Sequence, residues 1–293
     1  MIMKILLLGS EGQLGKEISK TFEESNLIQC TRENLDLESS DIKEKIISIS
    51  PNIVINCAAY TNVDGAENDK KKAFKVNSHA LKDLSNATQE INCRLVHFST
   101  DYVFSGESKT PYKEESPTNP KTIYGKSKLE GENFINKFSS NFLILRVGWL
   151  YSSNGNNFVK KIILKHKENA KLKIVNDQFG TPTSASFVAK TLKEIFEHKN
   201  FWDKNGVYHL SCNGKTNWYE FTTAISECIK KINPDFKVRE IKSCKSSEYE
   251  TNAVRPLFSV LDCNKIKKDF NIETPSWKKD LKSQIQDIYE STQ

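Results

Sequence analysis

Gly9-Ser10-Glu11-Gly12-Gln13-Leu14-Gly15 decides the fold of this chain. It follows a short apolar run, Ile5-Leu6-Leu7-Leu8, which reads as a buried parallel strand. It opens a segment from Gly12 to Phe22 in which Leu14, Ile18 and Phe22 recur at helical spacing. Gly9 suits a tight turn, and Gly12 lets the backbone approach a pyrophosphate with no side chain between. Gly15 allows the helix to pack close to the sheet. The helix start then presents unpaired N–H groups and a positive dipole end to phosphates. The spacing is Gly-x-x-Gly-x-x-Gly, so the assignment rests on the strand–turn–helix context.

Working outward, strands are expected at 27–30, 53–56, 95–99 and 142–146, alternating with helices at 40–49, 66–90 and 124–138. This alternation predicts an α/β fold, a Rossmann-type doubly wound parallel sheet. It weakens after Gly148, where helices at 158–166, 186–197 and 218–231 and a strand at 206–211 are expected. Residues 1–147 therefore read as an NAD(P)-binding domain, with later segments returning to it. Residues 148–293 read as a smaller, discontinuous, mainly substrate-binding lobe.

The 293 residues carry 43 basic and 37 acidic side chains, a net charge of +6 spread along the chain. Its densest basic cluster, Lys70-Lys71-Lys72, lies beside Asp69 in an expected helix and reads as a solvated face rather than a nucleic-acid patch. The seven cysteines form no Cys-x-x-Cys pair, which favours reduced thiols over disulfides or zinc. The apolar start stops at Gly9, short of a signal-peptide core, and no stretch approaches membrane-span length. A cytoplasmic protein is expected, with no nucleic-acid or membrane partner.

The second strand leads into Arg32, where a carboxylate would select NAD and an arginine can accept a 2′-phosphate. This tilts the cofactor toward NADPH, with NADH still open and Arg32 as a plain surface residue the bland alternative. Asp36 and Leu37 could flank the adenine. The third strand runs into Cys57-Ala58-Ala59-Tyr60, small residues where a ligand can lie against the backbone. The fourth ends in Ser99-Thr100, and the Thr100 hydroxyl can donate to a carbonyl. Tyr124 and Lys128 sit one helical turn apart on one face. Tyrosine is a weak acid near pH 10, and a neighbouring ammonium lowers that value toward working pH. The pair thus suits proton transfer coupled to hydride transfer, with Lys128 also able to hold ribose hydroxyls.

Longer segments carry a resemblance. Asn56-Cys57-Ala58-Ala59-Tyr60-Thr61, Ser99-Thr100-Asp101-Tyr102-Val103-Phe104, Tyr124-Gly125-Lys126-Ser127-Lys128-Leu129-Glu130-Gly131-Glu132 and Asn176-Asp177-Gln178-Phe179-Gly180-Thr181-Pro182-Thr183 stand in order. So do Arg146-Val147-Gly148-Trp149-Leu150-Tyr151 and Arg255-Pro256. Over nearly its whole length the chain resembles extended short-chain dehydrogenase/reductases of the dTDP-4-dehydrorhamnose reductase family. The resemblance implies NAD(P)H-dependent reduction of the C4 keto group of dTDP-4-dehydro-L-rhamnose to dTDP-L-rhamnose, for surface polysaccharide. Thr100, Tyr124 and Lys128 would be catalytic. Gly9, Gly12, Gln13, Leu14 and Gly15, with Ser99 and the residues after the second and third strands, would hold the cofactor. Val63, Asp64, Tyr102, Trp149, Asn157 and Arg255 would meet the sugar nucleotide.

Other readings stay open at this point. One is a reductase of another nucleotide-linked 4-keto-6-deoxy sugar, and one is a non-catalytic NADP-binding regulatory subunit. Family members that dimerise through magnesium carry acidic side chains in the helix after Phe-Gly-x-Pro-Thr, where this chain has Ser186. Glu17 alone cannot supply the several oxygen ligands that a hard cation needs. No metal is expected, and the chain is expected to be a monomer or weak homodimer without a metal bridge.

Overall fold

The computed structural model describes residues 3–168 and 171–293. The first half runs β1 (Lys4–Leu8), α1 (Gln13–Thr21), β2 (Asn26–Cys30), α2 (Ile42–Ile49), β3 (Ile53–Asn56), α3 (Val63–Asn68), α4 (Lys70–Phe74) and α5 (Ala80–Glu90). It continues through β4 (Arg94–Thr100), α6 (Ile123–Phe138) and β5 (Phe142–Val147). The second half runs β6 (Leu150–Tyr151), α7 (Phe158–Lys167), β7 (Leu172–Val175), β8 (Phe179–Gly180), β9 (Thr183–Ser184), α8 (Ala185–Glu197) and β10 (Gly206–His209). It ends with β11 (Thr216–Asn217), α9 (Trp218–Ile232), β12 (Ile241–Cys244), α10 (Asn264–Phe270) and α11 (Trp277–Glu290).

The main sheet has the order β10-β5-β4-β3-β1-β2. Every pairing in it is parallel. Such strands are covered on both faces, which is why they read as continuous apolar runs. Leu7, Ile18, Val188, Leu192 and Phe201 pack on one face. Leu6, Ile46, Leu84 and Ile135 pack on the other. The doubly wound sheet is therefore as the alternation predicts. The chain leaves β1 toward β2 on one side and returns to β3 on the other, and this reversal opens a crevice at the carboxyl ends of β1 and β3.

Sequence beyond Gly148 contributes to both regions. The strand β10 extends the sheet beside β5, and α8 supplies Val188 and Leu192 to its core. The helices α7, α9 and α11 enclose a separate core of Ile163, Phe221, Ile225, Leu281 and Ile285. Three two-stranded ladders trim this lobe, among them β7 with β12. Among the described residues, no helix is long and apolar enough to cross a membrane.

The helix expected over 66–90 is not continuous. It begins at Val63, where the Asn62 side chain accepts from the Gly65 amide. Asp69 interrupts it, because its carboxylate accepts from the Lys72 amide and restarts the helix at Lys70. A π-turn then runs from Lys75 to His79 before α5. The π-turn swings Asn77 inward. Asn77 accepts from the Tyr60 amide at 2.8 Å and donates to the Tyr60 carbonyl and to Ser127 Oγ, each at 3.0 Å. One side chain thus ties the loop after β3 to α6. The strand expected over 206–211 ends at His209. The elements β7, β12, α10 and α11 add structure where no element was expected.

Candidate active site

A cleft of about 800 Å³ runs from the Gly9 loop, past the ends of β2 and β3, to the start of α6 and on to Trp149 and Arg255. Its floor is the glycine loop. Gly9 sits at φ 74°, and a Cβ there would lie 2.8 Å from the Ala58 amide nitrogen. Only glycine accepts that turn at that separation. The first turn of α1 has no side-chain cap, which leaves amides facing the cleft beside Gly12, Gln13 and Leu14. Gly15 does not line the cleft. A Cβ there would meet the Gly9 carbonyl oxygen at 2.1 Å, so its role is to let α1 approach its own loop rather than the sheet.

At the end beside β2, Arg32, Asp36 and Leu37 line the cleft. Arg32 donates to Asp36 at 3.1 Å and Glu38 at 2.5 Å. In the middle, Cys57, Ala58, Ala59 and Tyr60 form one wall and Ser99 the other. Ser99 donates to Glu132 Oε1 at 2.5 Å. Glu132 in turn grips Arg146 of β5 at 2.6 Å, with both side chains buried. This ion pair anchors α6 to the sheet below the reacting groups.

Thr100, Tyr124 and Lys128 all line the same stretch of cleft. Thr122 caps α6 by accepting from the Gly125 amide, which starts the helix one residue before Tyr124. Gly125 packs on the Tyr102 carbonyl, where a Cβ would come within 2.3 Å. The tyrosine and lysine therefore project from the first two turns of a helix held tightly against the end of β4. Burial pushes the Tyr124 hydroxyl above its ordinary pKa, with Asp101 and Tyr102 adding to the rise. This differs from the lowered value expected from a neighbouring ammonium. Lys128 Nζ instead donates to the Phe98 carbonyl at 2.7 Å and meets His97 Nε2 at 3.0 Å. Burial lowers Lys128 itself to about 8.

The end of the cleft beside the second lobe is aromatic. Trp149, at φ 48°, stacks face to face on Trp218 with ring centres 3.4 Å apart. Gly180 lies against the indole of Trp149, where a Cβ would collide at 2.3 Å. Val63, Tyr102 and Arg255 also line this end. Asp64 lies behind Arg255, pairing with it at 2.6 Å, while Arg255 also donates to the Tyr102 hydroxyl at 3.2 Å. Asn157 is not among the cleft residues. Its side chain caps α7 at the Lys160 amide and donates to the Ser152 carbonyl at 2.7 Å. Its neighbours Asn156 and Phe158 line the cleft.

Sequence reasoning missed Trp218, Phe221 and Asp101 as cleft residues. Trp218 begins α9 in the second lobe, and no local spacing signals its approach to Trp149. Asp101 stood inside a quoted motif, and the signal was a carboxylate directly after the reactive threonine. It is 2% exposed, and its Oδ2 is a buried acceptor without a partner. Among the described residues, no group of three or more His, Cys, Asp or Glu side chains could hold a metal. Glu17 Oε1 accepts from Asn154 Nδ2 at 3.0 Å.

The family model described as RmlD substrate binding domain matches residues 3–290. The chain is 33% identical over 302 residues to the dTDP-4-dehydrorhamnose reductase of Escherichia coli K12, covering 99% of each. It superposes on a crystal structure of a dTDP-4-dehydrorhamnose reductase from Clostridium acetobutylicum with a TM-score of 0.90 at 37% identity, covering 97% of this chain and 99% of that one. A Bacillus anthracis dTDP-4-dehydrorhamnose reductase solved with NADP gives 0.90 at 30% identity, covering 98% and 99%. With a cleft of this construction and relatives matched end to end, the chain belongs to the dTDP-4-dehydrorhamnose reductase family, whose model is the RmlD substrate binding domain.

Proposed function

We propose that this protein reduces the C4 keto group of dTDP-4-dehydro-L-rhamnose to give dTDP-L-rhamnose, with NADPH as the preferred hydride donor. One observation carries the reading: Thr100, Tyr124 and Lys128 line a cleft continuous with the Gly9 loop. The E. coli relative bears the matching name, and the B. anthracis relative was solved with NADP.

The cleft fits a dinucleotide by its own construction. Side chains are excluded at Gly9 by the contacts a Cβ would make, and the uncapped start of α1 offers amides to phosphates. Arg32 would meet a 2′-phosphate by exchanging its carboxylate partners for it. When bound, the nicotinamide supplies the hydride. Tyr124 then protonates the oxygen that develops negative charge at C4, the Tyr124 hydroxyl being fully protonated in its buried setting before the reaction. Lys128, one turn along α6, would hold the ribose hydroxyls beside the nicotinamide. Thr100 aligns the carbonyl, and to donate to it the hydroxyl turns away from Asp101. Tyr102, Trp149 and Trp218 form the wall against the sugar, and Arg255 supplies the positive charge that a nucleoside diphosphate needs.

The reaction is read as cytoplasmic, supplying a polysaccharide precursor, and the chain as a monomer or weak homodimer that works without divalent metal. Activity lost to a chelator and restored by magnesium would refute that last point. The substrate assignment is tested with a panel of nucleotide-linked 4-keto sugars, each with NADPH and NADH, and NMR of the products. Oxidation of NADPH with formation of dTDP-L-rhamnose supports it. No turnover of dTDP-4-dehydro-L-rhamnose, or formation of its C4 epimer, overturns it.

A further inference from the structure

A chain of three hydrogen bonds joins the cofactor wall to the catalytic lysine, and its direction is fixed at one end. The Ala58 amide can only donate, and it donates to Asn56 Oδ1 at 3.0 Å. That settles which end of the Asn56 amide carries oxygen. Asn56 Nδ2 therefore points at His97 Nδ1, 3.1 Å away, as a donor. A ring nitrogen that receives a hydrogen bond bears no proton, so the proton of a neutral His97 is on Nε2. Nε2 lies 3.0 Å from Lys128 Nζ, which itself donates to the Phe98 carbonyl at 2.7 Å. Asn56 is fully buried and His97 is 1% exposed, so water cannot rearrange the chain.

An ammonium at Lys128 has only donors. With His97 as its Nε2–H form, two donors would face each other. Turning the ring proton to Nδ1 moves the clash to Asn56 Nδ2, and turning the amide moves it to Ala58. A neutral amine at Lys128 is the one state in which every member of the chain is satisfied. We propose that His97 is a positioning residue for Lys128: held by Asn56 as the Nε2–H tautomer, it aims Nζ at the Phe98 carbonyl and makes the ammonium easier to deprotonate.

The other charged and titratable groups around Lys128 act with or against this. Glu132, one turn along α6, favours the ammonium, though its charge is shared with Arg146 and Ser99. Cys57 at the end of β3 acts in the same sense. Tyr124 precedes Lys128 by one turn. Burial holds the His97 ring far below its ordinary pKa, with Lys128 adding to the effect, so the ring stays neutral. Burial lowers Lys128, consistent with an amine that exchanges its proton near neutral pH.

The tautomer is read directly from long-range ¹H–¹⁵N NMR of the wild-type protein, with the His97 signals identified by their loss in His97→Gln. The Nε2–H pattern is expected, and the Nδ1–H pattern overturns the inference. A second arm uses Asn56→Asp, whose second carboxylate oxygen can only accept. This variant should invert the tautomer, turn Nε2 into an acceptor and favour the ammonium. The alkaline limb of kcat/KM for keto-sugar reduction should then move up by about one pH unit or more. An unmoved limb with an inverted tautomer overturns the claim about Lys128. This kinetic arm rests on the reductase reading; if that reading fails there is no turnover to profile, while the wild-type tautomer remains measurable.

Discussion

Thr100 donates its hydroxyl to Asp101 Oδ1 at 3.0 Å, so the proton that could polarise a substrate carbonyl is engaged by the residue next to it. The Tyr102 amide fills the acceptor side of the same hydroxyl at 3.2 Å. Asp101 is thus part of how the threonine is held.

Burial pushes the Asp101 carboxyl up from 3.8 to about 6, against the bond from Thr100 that pulls it down. The folded protein therefore holds this proton more tightly than the unfolded chain does. Stability falls as pH rises from about 4 to about 6 and stays reduced above that, by up to about 3 kcal/mol. Asp101→Asn removes the buried charge. Its thermal midpoint, relative to wild type, should be more favourable at about pH 8 than at about pH 4. Equal differences at both values would show that the charge is not the cost.

Glu132 and Arg146 form a buried pair whose side chains are 2% and 5% exposed. Removing one partner strands the other's charge in the core. Glu132→Ala should lower unfolding free energy by about 3–5 kcal/mol in urea titration. A loss below about 1 kcal/mol would mean that the pair does not anchor α6, since such small values are typical of exposed pairs.

Arg32 keeps its side chain 62% exposed while bonding Asp36 and Glu38. Arg32→Ala should raise KM for NADPH about tenfold, the worth of one charge-assisted bond, and leave KM for NADH nearly unchanged. Equal changes for both cofactors would remove Arg32 from 2′-phosphate recognition.

The sheet was legible because its strands are short buried runs between helices of regular spacing, as in Ile53-Val54-Ile55-Asn56, where all four residues are buried. The break at Asp69 was hidden because a helical pattern of side chains does not reveal a carboxylate that caps its own successors. Helix α11 carries Trp277, Leu281, Ile285 and Ile288 on one buried face, a spacing that the sequence holds but polar neighbours obscure. At the site, Tyr124 and Lys128 were visible as a pair on one helix, and Thr100 as a strand end. Trp218 was not, because its stacking on Trp149 joins residues brought together only by packing between α9 and the turn after β5. Asn157 shows the opposite case, a polar residue in a recognisable loop whose side chain is taken up by capping.

The central claim is that Tyr124 delivers the proton in this cleft. Tyr124→Phe keeps the ring and removes only the hydroxyl, so the fold and the cofactor wall should stand. Turnover of dTDP-4-dehydro-L-rhamnose should fall by about a hundredfold to ten-thousandfold, while NADPH binding, followed by fluorescence titration, stays close to wild type. Turnover near the wild-type rate with binding intact would contradict the account.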